Sequence, residues 1–97
     1  MTDSNSKCVL SIDLGSSGPK ISIVNENGDI LATRSGMFKN IYVDGGDGVE
    51  QDAEEWWTQI LRLSKEVIEE SGTAKRIVAI GNCAQYFSSI PVDKDGN

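Results

Sequence analysis

The 97 residues carry nine basic and fifteen acidic side chains, a net charge of −6, with 38% hydrophobic and 25% charged residues, which describes one soluble globular domain or part of one. The acidic balance argues against a nucleic-acid surface, where clustered Lys and Arg supply the affinity, but not against ATP, because backbone N–H groups and a metal ion can hold a small anion. No apolar run is long enough to span a membrane, and two isolated cysteines, Cys8 and Cys83, with no histidine anywhere, exclude a zinc site and fit a reduced, cytoplasmic setting.

Residues 1–6, MTDSNS, read as a flexible tail without signal-peptide regions, which leaves 7–97 as the folded part. Cys8 to Asp13 (CVLSID) is a short, mostly apolar run that suits a strand covered on both faces. Lys20 to Val24 (KISIV) alternates, with Ile21 and Ile23 on one face and Ser22 on the other. Asn25-Glu26-Asn27-Gly28 is a hairpin signal, and Asp29 to Phe38 is its return strand. Asn40 to Gly48, with its DGGDG, reads as a flexible loop.

Asp52 is a good N-cap, and Glu55 three residues later completes a capping-box pattern. The spacing of Trp56, Ile60, Leu63, Ser64 and Val67, and of Trp57, Leu61 and Ile68, predicts a helix over 53–71 with both tryptophans in its core face. Gly72 is the expected stop. Arg76 to Cys83 (RIVAIGNC) reads as a buried fourth strand and Tyr86 to Val92 (YFSSIPV) as a fifth. The order is β-β-β-α-β-β. A right-handed crossover places the fourth strand parallel to the first and beside it, with the meander on the other side. Asp95-Gly96-Asn97 looks like a turn about to feed another strand, so the chain is expected to be the front part of a longer protein.

Chemistry concentrates at two places. The turn from Asp13 to Lys20 (DLGSSGPK) ends a strand in a carboxylate and small hydroxylated residues. Gly15 and Gly18 would let the backbone bend sharply and approach a ligand. Ser16 and Ser17 add hydroxyls, Lys20 a positive charge, and Asp13 can hold Mg²⁺ opposite phosphates. The pattern alone serves a structural hairpin and a phosphate cradle equally well. The second place is Gln85-Tyr86-Phe87, just past the carboxyl end of a strand expected beside the first, where parallel sheets border their binding crevice. A glutamine with two aromatics can read the hydroxyls and carbon face of a sugar, or can simply pack. DKDGN resembles a calcium loop, but its glycine comes two positions early for an EF-hand, and a hairpin turn explains it. Cys83 reads as a buried, inert thiol.

Three segments then combine. SIDLGSSGPKISIVNENGDIL resembles the opening of the FGGY carbohydrate kinases, xylulokinases in particular. VEQDAEEWW resembles the family's Glu-Gln-Asp-Pro-Glu-x-Trp-Trp helix start, and IVAIGNCAQYFSSIPVD its Ile-x-Ile-Gly-x-x-x-Gln segment. They come in the family's order and span Val9 to Asn97.

The resemblance implies an α/β, ribonuclease-H-like fold of the actin/hexokinase ATPase type, of which 7–97 would be an incomplete N-terminal domain. It implies transfer of the γ-phosphoryl of MgATP to a hydroxyl of a sugar or polyol. Asp13 matches the metal-linked aspartate, Gly15, Ser16 and Ser17 the loop at the phosphates, and Lys20 its basic residue. Gln85, Tyr86 and Phe87 match the substrate segment. Here the chain departs from the family, since xylulokinases resemble Gln-Met-His and glycerol kinases Gln-Arg-Glu. The sugar is therefore open, with a ketopentose such as xylulose favoured by resemblance. The family's general base is an aspartate far downstream, outside these residues, so the isolated chain is expected to be inactive. The parent could pair as a homodimer, with no nucleic-acid or membrane partner. A non-catalytic nucleotide-binding sensor of the same superfold is the alternative. An actin- or chaperone-like ATPase would share the hairpin but not the Glu-Gln-Asp and Trp-Trp segment.

Overall fold

The computed structural model describes residues 5–86 and 89–97. Three strands open the chain: β1 (Cys8–Leu14), β2 (Pro19–Asn25) and β3 (Ile30–Ser35). They form an antiparallel meander whose register sets Ile12 opposite Ile21 and Leu10 opposite Ile23. Asn25 builds the β2–β3 turn. Its Oδ1 accepts from the backbone N–H groups of Asn27 (3.0 Å) and Asp29 (2.9 Å). The side chain thus supplies the turn with bonds that the backbone would otherwise lack.

Helix α1 runs Ala53–Ser71. Asp52 caps it by accepting from the N–H of Glu54 at 2.9 Å, and Gly72 ends it in the left-handed region at φ 66°. The expected capping box does not close. The Glu55 carboxylate instead accepts from the N–H of Lys39 at 3.1 Å and from Nε2 of Gln59 at 3.1 Å. It ties the chain after β3 to the helix, because Lys39 lies within reach and needs an acceptor. Leu63 and Val67 of α1 pack on Ile21, Ile23, Leu10, Cys8 and Ala32. Trp56 tilts against Phe38 with ring centroids 5.9 Å apart. Trp57 does not join this core and is exposed. It stands one residue, about 100° of helix turn, away from Trp56.

Strand β6 (Ile77–Ala84) returns parallel to β1, giving the sheet order β3-β2-β1-β6. That is the expected crossover arrangement. Among the described residues, cover on both faces of the sheet is not found. Helix α1 packs chiefly on β2 and β3, and Val78 and Ile80 of β6 are exposed. A strand's apolar sequence cannot bury it without a layer laid over it.

Three further expectations are revised. The presumed loop 40–48 contains a small second sheet, in which β4 (Ile41–Val43) pairs with β5 (Gly48–Glu50). Its reversal uses successive left-handed residues Asp44, Gly45 and Gly46, and Asp is among the residues that tolerate that region best. The expected fifth strand, 86–92, is not formed in its described part. Tyr86 lies in a turn and residues 89–92 belong to no strand among the described residues, while Phe87 and Ser88 lie outside them. Pro91 has no N–H to give a ladder. Finally, Ser6 is no loose tail: it is buried, and Nη1 of Arg76 donates to its hydroxyl (3.1 Å) and carbonyl (3.2 Å). No helix among the described residues is long and apolar enough to cross a membrane.

Candidate functional site

Asp13 occupies the end of β1, between two neighbours. Its register partner on β2 is Lys20 and on β6 is Cys83. Residues opposed in a ladder share a sheet face. Carboxylate, ammonium and thiol therefore stand side by side, although Cys83 lies seventy residues away in the chain. Cys83 is exposed, not buried as its sequence context implied. Its Sγ donates to Oδ1 of Asp13 at 3.4 Å. That hydrogen bond, with a smaller desolvation and the repulsion of the carboxylate charge, raises the thiol's pKa above its ordinary value.

The turn after Asp13 is fixed from behind. The carbonyl of Ser17 accepts from the N–H of Phe38 at 2.8 Å, and that of Pro19 from Gly36 at 3.0 Å. The carbonyl of Ser16 accepts from Nε2 of Gln51 at 2.8 Å. Gln85 reaches the carbonyl of Gly15 with a longer bond of 3.4 Å. Neither Gly15 nor Gly18 adopts a positive φ, so the glycines are not there for a sharp left-handed bend. Gly18 is required by close approach: a Cβ there would run into the backbone oxygen of Gly36.

A cleft of about 660 Å³ opens beside the turn, lined by Ser16, Glu50, Gln51, Trp56, Gln85 and Ile90 among others. Its size falls within the range of small-molecule sites. Ser16 and Gln85, predicted separately, meet in it. Asp13 and Lys20 stand together on the sheet. Tyr86 is exposed, and Phe87 lies outside the described residues. Glu50 and Gln51 are not residues that the sequence singles out for a site, and Trp56, whose spacing favours helix core over a ligand platform, lines the cleft as well. All three belong to the VEQDAEEWW segment, whose local signals are those of a helix start.

Among the described residues no cluster of three or more His, Cys, Asp or Glu could hold a metal alone. An ion here would rest on the hard oxygens of Asp13, of phosphates and of water, as magnesium commonly does.

The family model for the FGGY family of carbohydrate kinases, N-terminal domain, matches residues 8–97. The chain belongs to this family. The FGGY domain superposes on ligand-bound xylulose kinase from Lactobacillus acidophilus with a TM-score of 0.81 at 21% identity, covering 94% of this chain and 18% of that one. For gluconate kinase from Lactobacillus acidophilus the TM-score is 0.82 at 21% identity, over 95% and 18%. For Plasmodium falciparum glycerol kinase with ADP it is 0.62 at 19% identity, over 82% and 15%. These likenesses show the fold, the actin/hexokinase-type ATPase architecture with this chain as part of its N-terminal lobe. The FGGY domain spans less than a fifth of the length of these kinases.

Proposed function

We propose that this FGGY domain serves an ATP-dependent kinase that transfers the γ-phosphoryl of MgATP to a hydroxyl of a sugar or polyol, a ketopentose such as xylulose being the favoured acceptor. The observation that carries the reading is the end of β1, where Asp13 and Lys20 are register partners beside a turn braced from behind that borders a cleft. In this assignment Asp13 holds the metal. Gly15, Ser16 and Ser17 receive phosphate oxygens through backbone N–H and hydroxyl groups, and Lys20 offsets their charge. Magnesium, when bound, neutralises charge between the phosphates. Phosphoryl transfer asks a protein for positioning and charge stabilisation more than for covalent chemistry, and a braced turn supplies both without reorganising during reaction.

Gln85, Tyr86 and Phe87 are assigned to the acceptor. Trp56 and Ile90 give the cleft an apolar wall suited to the carbon face of a sugar. The general base and the remainder of the nucleotide site are supplied by residues outside these 97, in the cytoplasmic parent enzyme. The isolated chain is expected to turn over no ATP.

Replacing Asp13 tests the reading. In the intact protein, Asp13→Ala is expected to lower turnover by roughly 10²–10³-fold, the scale of losing one preorganised charge-stabilising group, with the thermal midpoint nearly unchanged. Near-normal turnover in a coupled ADP-release assay would refute the metal role.

A further inference from the structure

We infer that Gln51 is a positioning residue that sets the phosphate turn, and is not a reader of substrate despite lining the cleft. The inference rests on the reading of the Asp13–Lys20 turn as the phosphate site.

Its side chain is committed. Nε2 donates to the carbonyl of Ser16 at 2.8 Å and to Oδ1 of Asn40 at 2.9 Å. Oε1 accepts from Nε1 of Trp56 at 3.0 Å. A glutamine amide has two N–H donors, and both are used. The orientation of the amide is fixed by its partners: an indole nitrogen can only donate and a backbone carbonyl can only accept, so oxygen must face Trp56 and nitrogen must face Ser16. Nothing on the donor side remains for a ligand hydroxyl.

What the bonds join matters more than their number. Ser16 is in the turn, Asn40 precedes β4, and Trp56 is in the first turn of α1 and packs on Phe38. Phe38 in turn donates its N–H to the carbonyl of Ser17. The two carbonyls of Ser16 and Ser17 are thus reached by two routes from the same helix end. One is the Gln51 amide and the other is the Trp56–Phe38 contact. A carbonyl held from behind fixes the peptide plane and so aims the N–H of the next residue. Gln51 therefore sets the direction of the Ser17 N–H, one of the groups offered to phosphate. Gln85, whose bond to the Gly15 carbonyl is long at 3.4 Å, is held less firmly than Gln51 among the described residues.

Gln51→Glu separates the roles. It has the same shape and keeps an acceptor for Trp56, but it places carboxylate oxygen against the Ser16 carbonyl and the Asn40 amide oxygen. Gln51→Ala removes all three bonds and serves as the second variant. In the intact protein with ¹⁵N-labelled serine and tryptophan, Gln51→Glu is expected to leave the Trp56 indole resonance near its place and to move the Ser17 amide. Gln51→Ala is expected to move both. With either variant the KM for MgATP is expected to rise about tenfold, with kcat and the KM for the sugar less affected. An unmoved Ser17 amide would overturn the clamp. A moved amide with an unchanged KM for MgATP, or a rise confined to the sugar KM, would overturn its positioning role. Asp13→Ala, run in the same assay, tests the phosphate reading by itself. If that variant kept its turnover, the phosphate reading would fall while the Ser17 amide still judged the clamp.

Discussion

The two sides of β1 are built from similar sequence and end in different states. On one side, Ile21 and Ile23 of β2 are fully buried under Leu63 and Val67 of α1. On the other, Val78 and Ile80 of β6 are 63% and 65% exposed. Both strands are rich in β-branched residues, and both pair with β1 over its full length. Pairing therefore did not make the difference. A covering layer did, and α1 lies over only one half of the sheet. The candidate site falls on the seam, because Asp13 has a partner from each half. The buried side thus braces the turn, and the thinly covered side contributes Cys83 and Gln85.

The contrast breaks most sharply in the core. Ile23→Ala is expected to cost about 2–5 kcal/mol in urea unfolding, the range for emptying a packed site. Ile80→Ala is expected to stay within about 0.5 kcal/mol, as exposed positions do. Equal losses would mean that β6 is covered as well as β2. Next comes the seam. Gly18→Ala forces a Cβ against the backbone of Gly36 and is expected to cost about 1–3 kcal/mol, as overpacking does. A neutral result would show that the turn can move away from β3.

The helix cap sharpens the buried side further. Asp52→Ala is expected to cost about 1 kcal/mol in the same unfolding measurement. Glu55→Gln should leave the cap intact and loosen the N–H of Lys39, read by its amide exchange. A larger cap effect from Glu55 would restore the capping box.

The smallest effect belongs to the turn at residues 93–97. Asp93 accepts from the N–H groups of Asp95 and Asn97, each at 2.9 Å. Those bonds, Asn97's first, hold its carboxyl below the ordinary value. A depressed folded pKa means support that is present above the unfolded value of about 3.9 and lost as pH falls through the folded one. The amide resonances of Asp95 and Asn97 should therefore titrate together with a midpoint under about pH 4. A midpoint at or above that would remove the turn's bonds from the account.

Much of the frame was legible in advance. The helix runs over the predicted residues because its signals are local: a 3.6-residue apolar period, an Asp before it and a Gly after it. The Asn25–Gly28 hairpin and the parallel return of β6 follow from short-range turn chemistry and the handedness of crossovers. The site was legible only in part. Asp13 and Lys20 are close in sequence and stood out as a pattern. Gln51 was read as a residue before a cap, since nothing local says that its amide will meet Ser16, thirty-five positions away.

The sequence by itself determined the opening three-strand meander, the helix and the parallel return strand, their order, and the chemistry gathered at the end of the first strand. Each of those depends on neighbours within a few residues. Within these 97 residues, tertiary structure alone decided that α1 would leave most of β6 uncovered, that Trp57 would face outward while Trp56 held Gln51, and that Cys83 would stand beside Asp13. Those outcomes depend on where one layer stops and on which distant side chains share a face. Periodicity and capping carry no such information, because they describe a segment's own preferences and not what it will be packed against.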